Sequence, residues 1–288
     1  MISPYVRRLR LATELRLLRT RAGLTHEQLA KKIGQSRAQI SRLENAHAAP
    51  DLDDIIKILD VVGVADDEWT KIVTIAREAA ERGWWESNSH AMGTRTALYA
   101  NLEAGAVTIR EYQQTFLPGL LQTPEFSRAR NTAEAGLRPL DADPEKVLAG
   151  RTGRQRMLRR PGGPTYEVIL DEVAIRRLSA PPEVVKAQLF HLAATVNGMS
   201  KIGMRVLPVS AVVGGYSVPR TAFSIYTYAD PDDPVVVAVD TVTSDLILID
   251  PAEVAPYDIL YKRLLDAALS EDASVALLTS VAADLADH

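Results

Sequence analysis

Arg37 and Arg42 stand out for what their side chains can do. In Ser36-Arg37-Ala38-Gln39-Ile40-Ser41-Arg42-Leu43-Glu44-Asn45, a helix capped by Ser36 turns Ile40 and Leu43 inward and shows Arg37, Ala38, Ser41 and Arg42 outward. A guanidinium is a planar fork of N–H donors that fits a phosphate, a carboxylate or a base edge. The surrounding segment has the same sign. The first fifty residues hold ten Lys/Arg against three acids, a local charge of +7 in a chain whose total is −4. A basic N-terminal module on an acidic body points to a polyanionic partner. Charge alone fits a solvated helical surface equally well.

Other chemistries find less support. The histidines are His26, His47, His90, His191 and His288, with no HxxxH or HxH spacing. With no cysteine in the chain, a disulfide framework, a thiolate metal site and a cysteine nucleophile are all excluded. No GxSxG, GxGxxG or Walker-type loop occurs, and Gly162-Gly163-Pro164 is a turn signal. Asp171-Glu172 reads as a helix cap at a strand-to-helix junction, with paired carboxylates as the alternative. Gly214-Gly215-Tyr216 is either a connector or a lid. Trp84 and Trp85 read as a packing anchor between modules, with an aromatic ligand floor or a protein interface as alternatives. Arg151 and Arg154 lie three apart and share a helix face, solvated or aimed at an anion or an acidic partner. The expectation is a chain that is not an enzyme and that has no metal and no cofactor.

The elements that must position these residues follow from spacing. Leu9, Ala12, Leu15 and Leu18 set a helix from Val6 to Ala22, stopped at Gly23. Thr25 caps the next helix, with Gln28 completing a capping box, and Gly34 supplies the turn before Ser36. Pro50 and Asp51 open a fourth helix ending near Gly63, and Asp66 begins a fifth. Five short helices make an all-α domain over residues 1–82. From 83 to 288 the pattern mixes elements. A helix at 98–106 precedes a β-rich run at 107–116, and helices follow at 124–135 and 144–160. Strands at 166–170, 204–208, 222–228, 235–239 and 246–249 alternate with helices at 171–178 and 181–197, and helices at 251–269 and 271–285 close the chain. That is an α/β or α+β body with about five strands. No secretory leader and no run of 18 apolar residues is present, so the expected setting is cytoplasmic, with no membrane.

Leu24-Thr25-His26-Glu27-Gln28-Leu29-Ala30, Ile33-Gly34-Gln35-Ser36 and Ile40-Ser41-Arg42-Leu43-Glu44-Asn45 resemble the Xre/phage-repressor family of helix-turn-helix domains, across residues 7–80. The resemblance implies a λ-repressor-like five-helix domain whose recognition helix, 36–46, enters the major groove of double-stranded DNA. It places Arg37, Ala38, Ser41 and Arg42 at base-facing positions. An arginine there donates a bidentate pair to guanine, and Ala38 offers its methyl to thymine. It assigns Arg19, Thr25, His26, Gln35, Ser36 and Asn45 to the DNA backbone, and pairs Arg19 with Glu44 as a structural ion pair. Two departures stand out. His26 occupies the place of a usual glutamine, and Ala46 that of the usual helix-ending glycine. A left-handed alanine costs about 1 kcal/mol.

A second set of segments covers the rest of the chain. Gly83-Trp84-Trp85-Glu86, Leu102-Glu103, Leu117-Pro118-Gly119-Leu120-Leu121-Gln122-Thr123, Arg151 with Arg154-Gln155, Leu170-Asp171-Glu172, Val206-Leu207-Pro208 and Asp250-Pro251 resemble the long C-terminal domain of a group of actinobacterial regulators, similar to the WhiJ-like developmental regulators. That resemblance implies a transcriptional regulator whose C-terminal domain binds a protein partner or a signal. A homodimer is expected because one recognition helix covers only a few base pairs, and Trp84, Trp85, Arg151 and Arg154 are the candidate partner or ligand surface. The alternative that the resemblance implies is an antitoxin-like protein that sequesters a small partner encoded nearby, its DNA binding serving autoregulation.

Overall fold

Residues 2–85, 92–134, 143–241 and 244–285 are described by the computed structural model; Glu86, His90 and His288 lie outside the described residues. The chain divides into two units, Met1–Ser87 with Ala229–Pro234, and Asn88–Tyr228 with Val235–His288. The Asp-Pro turn that the sequence places between two C-terminal strands therefore groups with the helical unit.

In the first unit, short polar side chains start the first four helices, and a left-handed residue ends each of those four. Ser3 caps α1 (Pro4–Arg21), and Thr25 with Gln28 forms a reciprocal capping box on α2 (His26–Ile33). Ser36 caps α3 (Arg37–Leu43), and Asp51 caps α4 (Leu52–Val62), while α5 (Asp66–Ala80) starts without a side-chain cap. Leu15, Leu18, Leu29, Ile40, Leu43, Ile55, Leu59 and Ile72 fill the shared core. The recognition helix expected to reach 46 ends its regular turns at Leu43. The amide of Ala46 there donates to Leu43 and that of His47 to Arg42, closing the helix at 3.1 and 2.9 Å. The same paired bonds close α1 around Gly23 and α4 around Gly63. Glycine holds the left-handed position in both, whereas Ala46 adopts it at φ 56°.

Two arginines of α1 turn inward. Arg7 and Arg10 are buried, and their Nη1 atoms lie 2.8 and 2.7 Å from Asp230 and 2.9 and 3.2 Å from Asp233. Asp232 lies 3.0 Å from Arg10, and Glu78 lies 2.8 Å from Arg7. The hydrogen bond from Arg7 holds the Asp230 carboxyl well below the usual range, while burial pushes Asp233 up. Two of the ten N-terminal cations are thus paired inside the unit and do not add to a polyanion-facing surface. This corrects the plain charge count.

The second unit is built on one six-stranded sheet ordered β3-β2-β1-β4-β5-β6, one strand more than the five counted from sequence. The β-rich run after the helix α6 (Thr94–Glu103) is the central strand β1 (Ala106–Gln113). Helices α7 (Pro124–Glu134) and α8 (Pro144–Arg159) lead to β2 (Thr165–Asp171). The short α9 (Glu172–Arg176) and α10 (Pro182–Gly198) lead to β3 (Ile202–Leu207). These three strands run parallel. The chain then crosses to the other side of β1 for β4 (Phe223–Tyr228), β5 (Val236–Asp240) and β6 (Asp245–Leu248), all joined antiparallel. α11 (Pro251–Ala267) and α12 (Glu271–Asp284) finish the chain. On one face of the sheet Tyr112, Phe223, Ile225, Val237 and Val239 pack with Tyr261 and Leu264 of α11. Arg110 reaches Asp258 from that face at 2.7 Å.

Ala46→Gly removes the left-handed alanine from a helix stop otherwise made with glycine. The greater chain entropy of unfolded glycine offsets part of the relief, leaving a gain of about 0.5 kcal/mol. Denaturant unfolding followed by circular dichroism checks this, and a loss of stability would contradict it.

Candidate nucleic-acid interface

One buried carboxylate anchors the α2-turn-α3 segment to α1. Glu44, which caps the end of α3, is 2% exposed. It accepts from Nε and Nη2 of Arg19 on α1 at 2.7 and 2.9 Å. Nε2 of His26, the first residue of α2, lies 3.0 Å from Oε2, the oxygen that Nη2 also meets. The backbone carbonyl of Glu44 accepts from Arg16 at 2.6 Å. The Glu44 hydrogen bonds raise the Arg19 pKa above its ordinary value. His26 is half-buried in this cluster, so its ring nitrogen faces Glu44 while the helix it begins stays capped by Thr25.

Around that anchor the side chains assigned to bases and phosphates divide into two groups. Arg37, Ala38 and Arg42 are exposed, and Ser41 is half-buried. Arg42 donates to Gln39 Oε1 at 2.6 Å, which orients its guanidinium along α3. Lys31 and Lys32 at the end of α2 are exposed as well. The second group is engaged within the protein. Gln35 donates to both carboxylate oxygens of Asp54 at 3.0 and 2.9 Å, tying the turn to α4. Asn45 donates to the Ser41 carbonyl at 2.7 Å and accepts from Arg16. Ser36 and Thr25 accept from the amides of Gln39 and Gln28 at 3.1 and 3.2 Å. An exposed arginine-bearing helix face, held by a neighbouring capped helix, can meet base edges and phosphates at once.

The four residues offered as a ligand or partner surface are divided between the two units. Trp84 is 46% exposed and Trp85 4%, with rings 5.7 Å apart edge-to-face, and both belong to the first unit. Arg151 and Arg154 belong to the second unit and line one cavity there. Arg154 on that face of α8 is covered rather than solvated, which corrects that reading for this residue. The Arg154 side chain is only 11% exposed and grips Glu103 of α6, Nε to Oε2 at 2.8 Å and Nη2 to Oε1 at 2.5 Å. Arg151 bonds Gln122, whereas Arg156 and Arg159 are exposed. Asp171 accepts from the Val173 amide and so caps α9, and Glu172 pairs with Arg176 and the Val209 amide. Sequence reasoning missed Gln122 and Glu111. Gln122 joins Leu117, Ser127, Gln155 and Arg151, and its one signal was its place in the Leu-Pro-Gly-Leu-Leu-Gln-Thr stretch. For Glu111 the signal was a carboxylate at an alternating position of a strand.

No helix among the described residues is long and apolar enough to cross a membrane. No curated protein and no solved structure matches the chain. Residues 10–70 match the family of the helix-turn-helix domain, the stretch that carries α2, the turn and α3. Residues 96–280 match the domain of unknown function DUF5753, a span that takes in all six strands. Since that second match extends over more than half of its length, the chain belongs to the DUF5753 family, here following an N-terminal helix-turn-helix domain.

Proposed function

We propose that this protein is a sequence-specific transcriptional regulator that reads double-stranded DNA with α3. The observation that carries the reading is the exposed trio Arg37, Ala38 and Arg42 on a helix braced through Glu44. Arg37 and Arg42 read bases, while Lys31, Lys32 and the first amides of α2 hold phosphates. One such helix covers only a few base pairs, so a homodimer on two half-sites about 34 Å apart supplies the needed specificity. The second unit then acts as the sensing half, coupling a bound partner or ligand to half-site spacing. The reading assigns no reaction to the chain, and its place is the cytoplasm.

A second reading has one observation in its favour. Between β3 and β4, Val209, Val212, Tyr216 and Val218 are 68%, 68%, 85% and 80% exposed. Four large apolar side chains in one short connection suit a protein partner. In this reading the second unit sequesters a small protein encoded nearby, as an antitoxin does, and DNA binding serves autoregulation.

Fluorescence anisotropy on DNA upstream of its own gene, against a scrambled duplex at two salt concentrations, tests the first reading. A preference of about a thousandfold for the native duplex is expected. Arg37→Ala and Arg42→Ala should each remove about 1–3 kcal/mol of that discrimination. Equal, steeply salt-dependent binding to both duplexes would refute sequence-specific reading of this DNA. For the second reading, co-expression with the neighbouring gene product should give a fixed-ratio complex that survives high salt and is lost in Tyr216→Asp. Separation of the two proteins during purification would sink it.

A further inference from the structure

In the second unit, one covered face of the sheet is polar where burial calls for apolar residues. Glu111 and Gln113 of β1 alternate with Tyr112, and Ser224 and Tyr226 of β4 alternate with Phe223 and Ile225, so all four turn away from the apolar core. Glu111 and Ser224 are direct cross-strand partners. The Glu111 carboxyl is buried, and it accepts from the Tyr166 hydroxyl at 2.5 Å and from Gln113 Nε2 at 2.6 Å. Neither partner is a cation, and burial pushes the Glu111 pKa upward. A carboxylate offers about four acceptor positions, so these two bonds leave it under-used for a group so costly to bury.

Above this floor lies a cavity of about 670 Å³. Its size falls within the range of small-molecule sites. Its position is telling too. The lining runs from Gln113 into the loop beyond the carboxyl end of β1, with parallel β2 on one side of that strand and antiparallel β4 on the other. The strand order also reverses beside β1, and open α/β sheets hold ligands outside the carboxyl ends of strands where that order reverses. Tyr99 and Phe116 add aromatic walls. At the loop end stand two guanidiniums: Arg130 lies 4.6 Å over the Phe116 ring, and Arg151 contacts Gln122. The site thus has an acceptor floor, flat aromatic sides and a basic rim.

We propose that this cavity binds a small planar molecule carrying an anionic group for Arg130 and Arg151 and an N–H donor for Glu111. The assignment deepens the reading of this unit as the sensing half of a regulator and rests on it for its purpose, although binding itself is measured without DNA. Calorimetric titration of the full chain with 4-aminobenzoate, benzoate and aniline provides the test. 4-Aminobenzoate should bind once per chain, about tenfold or more tighter than benzoate, which lacks the donor, or aniline, which lacks the anion. Glu111→Leu should lower its affinity to that of benzoate, and Arg151→Gln to that of aniline, with a circular-dichroism melt confirming that each variant folds. The proposal is overturned if 4-aminobenzoate does not bind at millimolar concentration, or binds the unaltered chain no better than benzoate or than aniline. Both of those results come from the unaltered chain and do not depend on a variant folding. The same preparation taken to the DNA titration separates the two readings: DNA binding without probe binding overturns the cavity assignment alone, and probe binding without DNA binding overturns the reader alone.

Discussion

A carboxylate taken out of water must be paired, and in the helical unit that requirement falls on Glu44. Its oxygens are met by α1 through Arg19 and by α2 through His26, while it is itself the residue that caps the end of α3. Three helices therefore converge on one charge. A buried pair often adds little net stability, but removing one partner leaves the other uncompensated, so the pairing specifies an arrangement more than it strengthens one. The angle at which α3 presents Arg37 and Arg42 depends on it. Gln35 adds a second brace by holding the turn to Asp54 of α4.

The second unit shows the opposite treatment of its two sheet faces. One is sealed by α11 over Tyr112, Phe223, Ile225 and Val237, an apolar layer that supplies the driving force for folding. The other carries Glu111, Gln113, Ser224 and Tyr226 beneath a cavity, with the Arg154–Glu103 pair at its edge. Burial drives the Tyr226 and Tyr166 hydroxyls well above their ordinary pKa, so both stay protonated and able to donate. Dry packing and polar capacity thus lie on opposite sides of the same strands, separated by the two-residue period of the pleat.

Rules that act within four residues made much of this legible in the sequence. Thr25 with Gln28, Ser36 and Asp51 mark helix starts, and Gly23, Gly34 and Gly63 mark stops, because capping bonds and left-handed backbone are local matters. Only the family resemblance, which puts a glycine at that place, suggests the left-handed Ala46. The apolar and β-rich runs located every strand among the described residues, though the β-rich run at 107–116 stands outside the count of five. Outward positions for Arg37 and Arg42 followed from the period of α3 alone.

Tertiary structure decided what depends on distant partners. Arg154 reads as one arginine of a solvated face until Glu103, 51 residues earlier, comes to meet it. Glu111 meets Tyr166 across 55 residues, and Arg10 meets Asp230 across 220. Strand order belongs to the same class: β1, first in the chain, becomes central only because later strands pair on both its sides. Sequence alone therefore determined where elements begin and end and which faces they offer, since those depend on neighbours along the chain. Which charges are satisfied, and where a cavity opens, depend on contacts that exist only once the whole chain has closed.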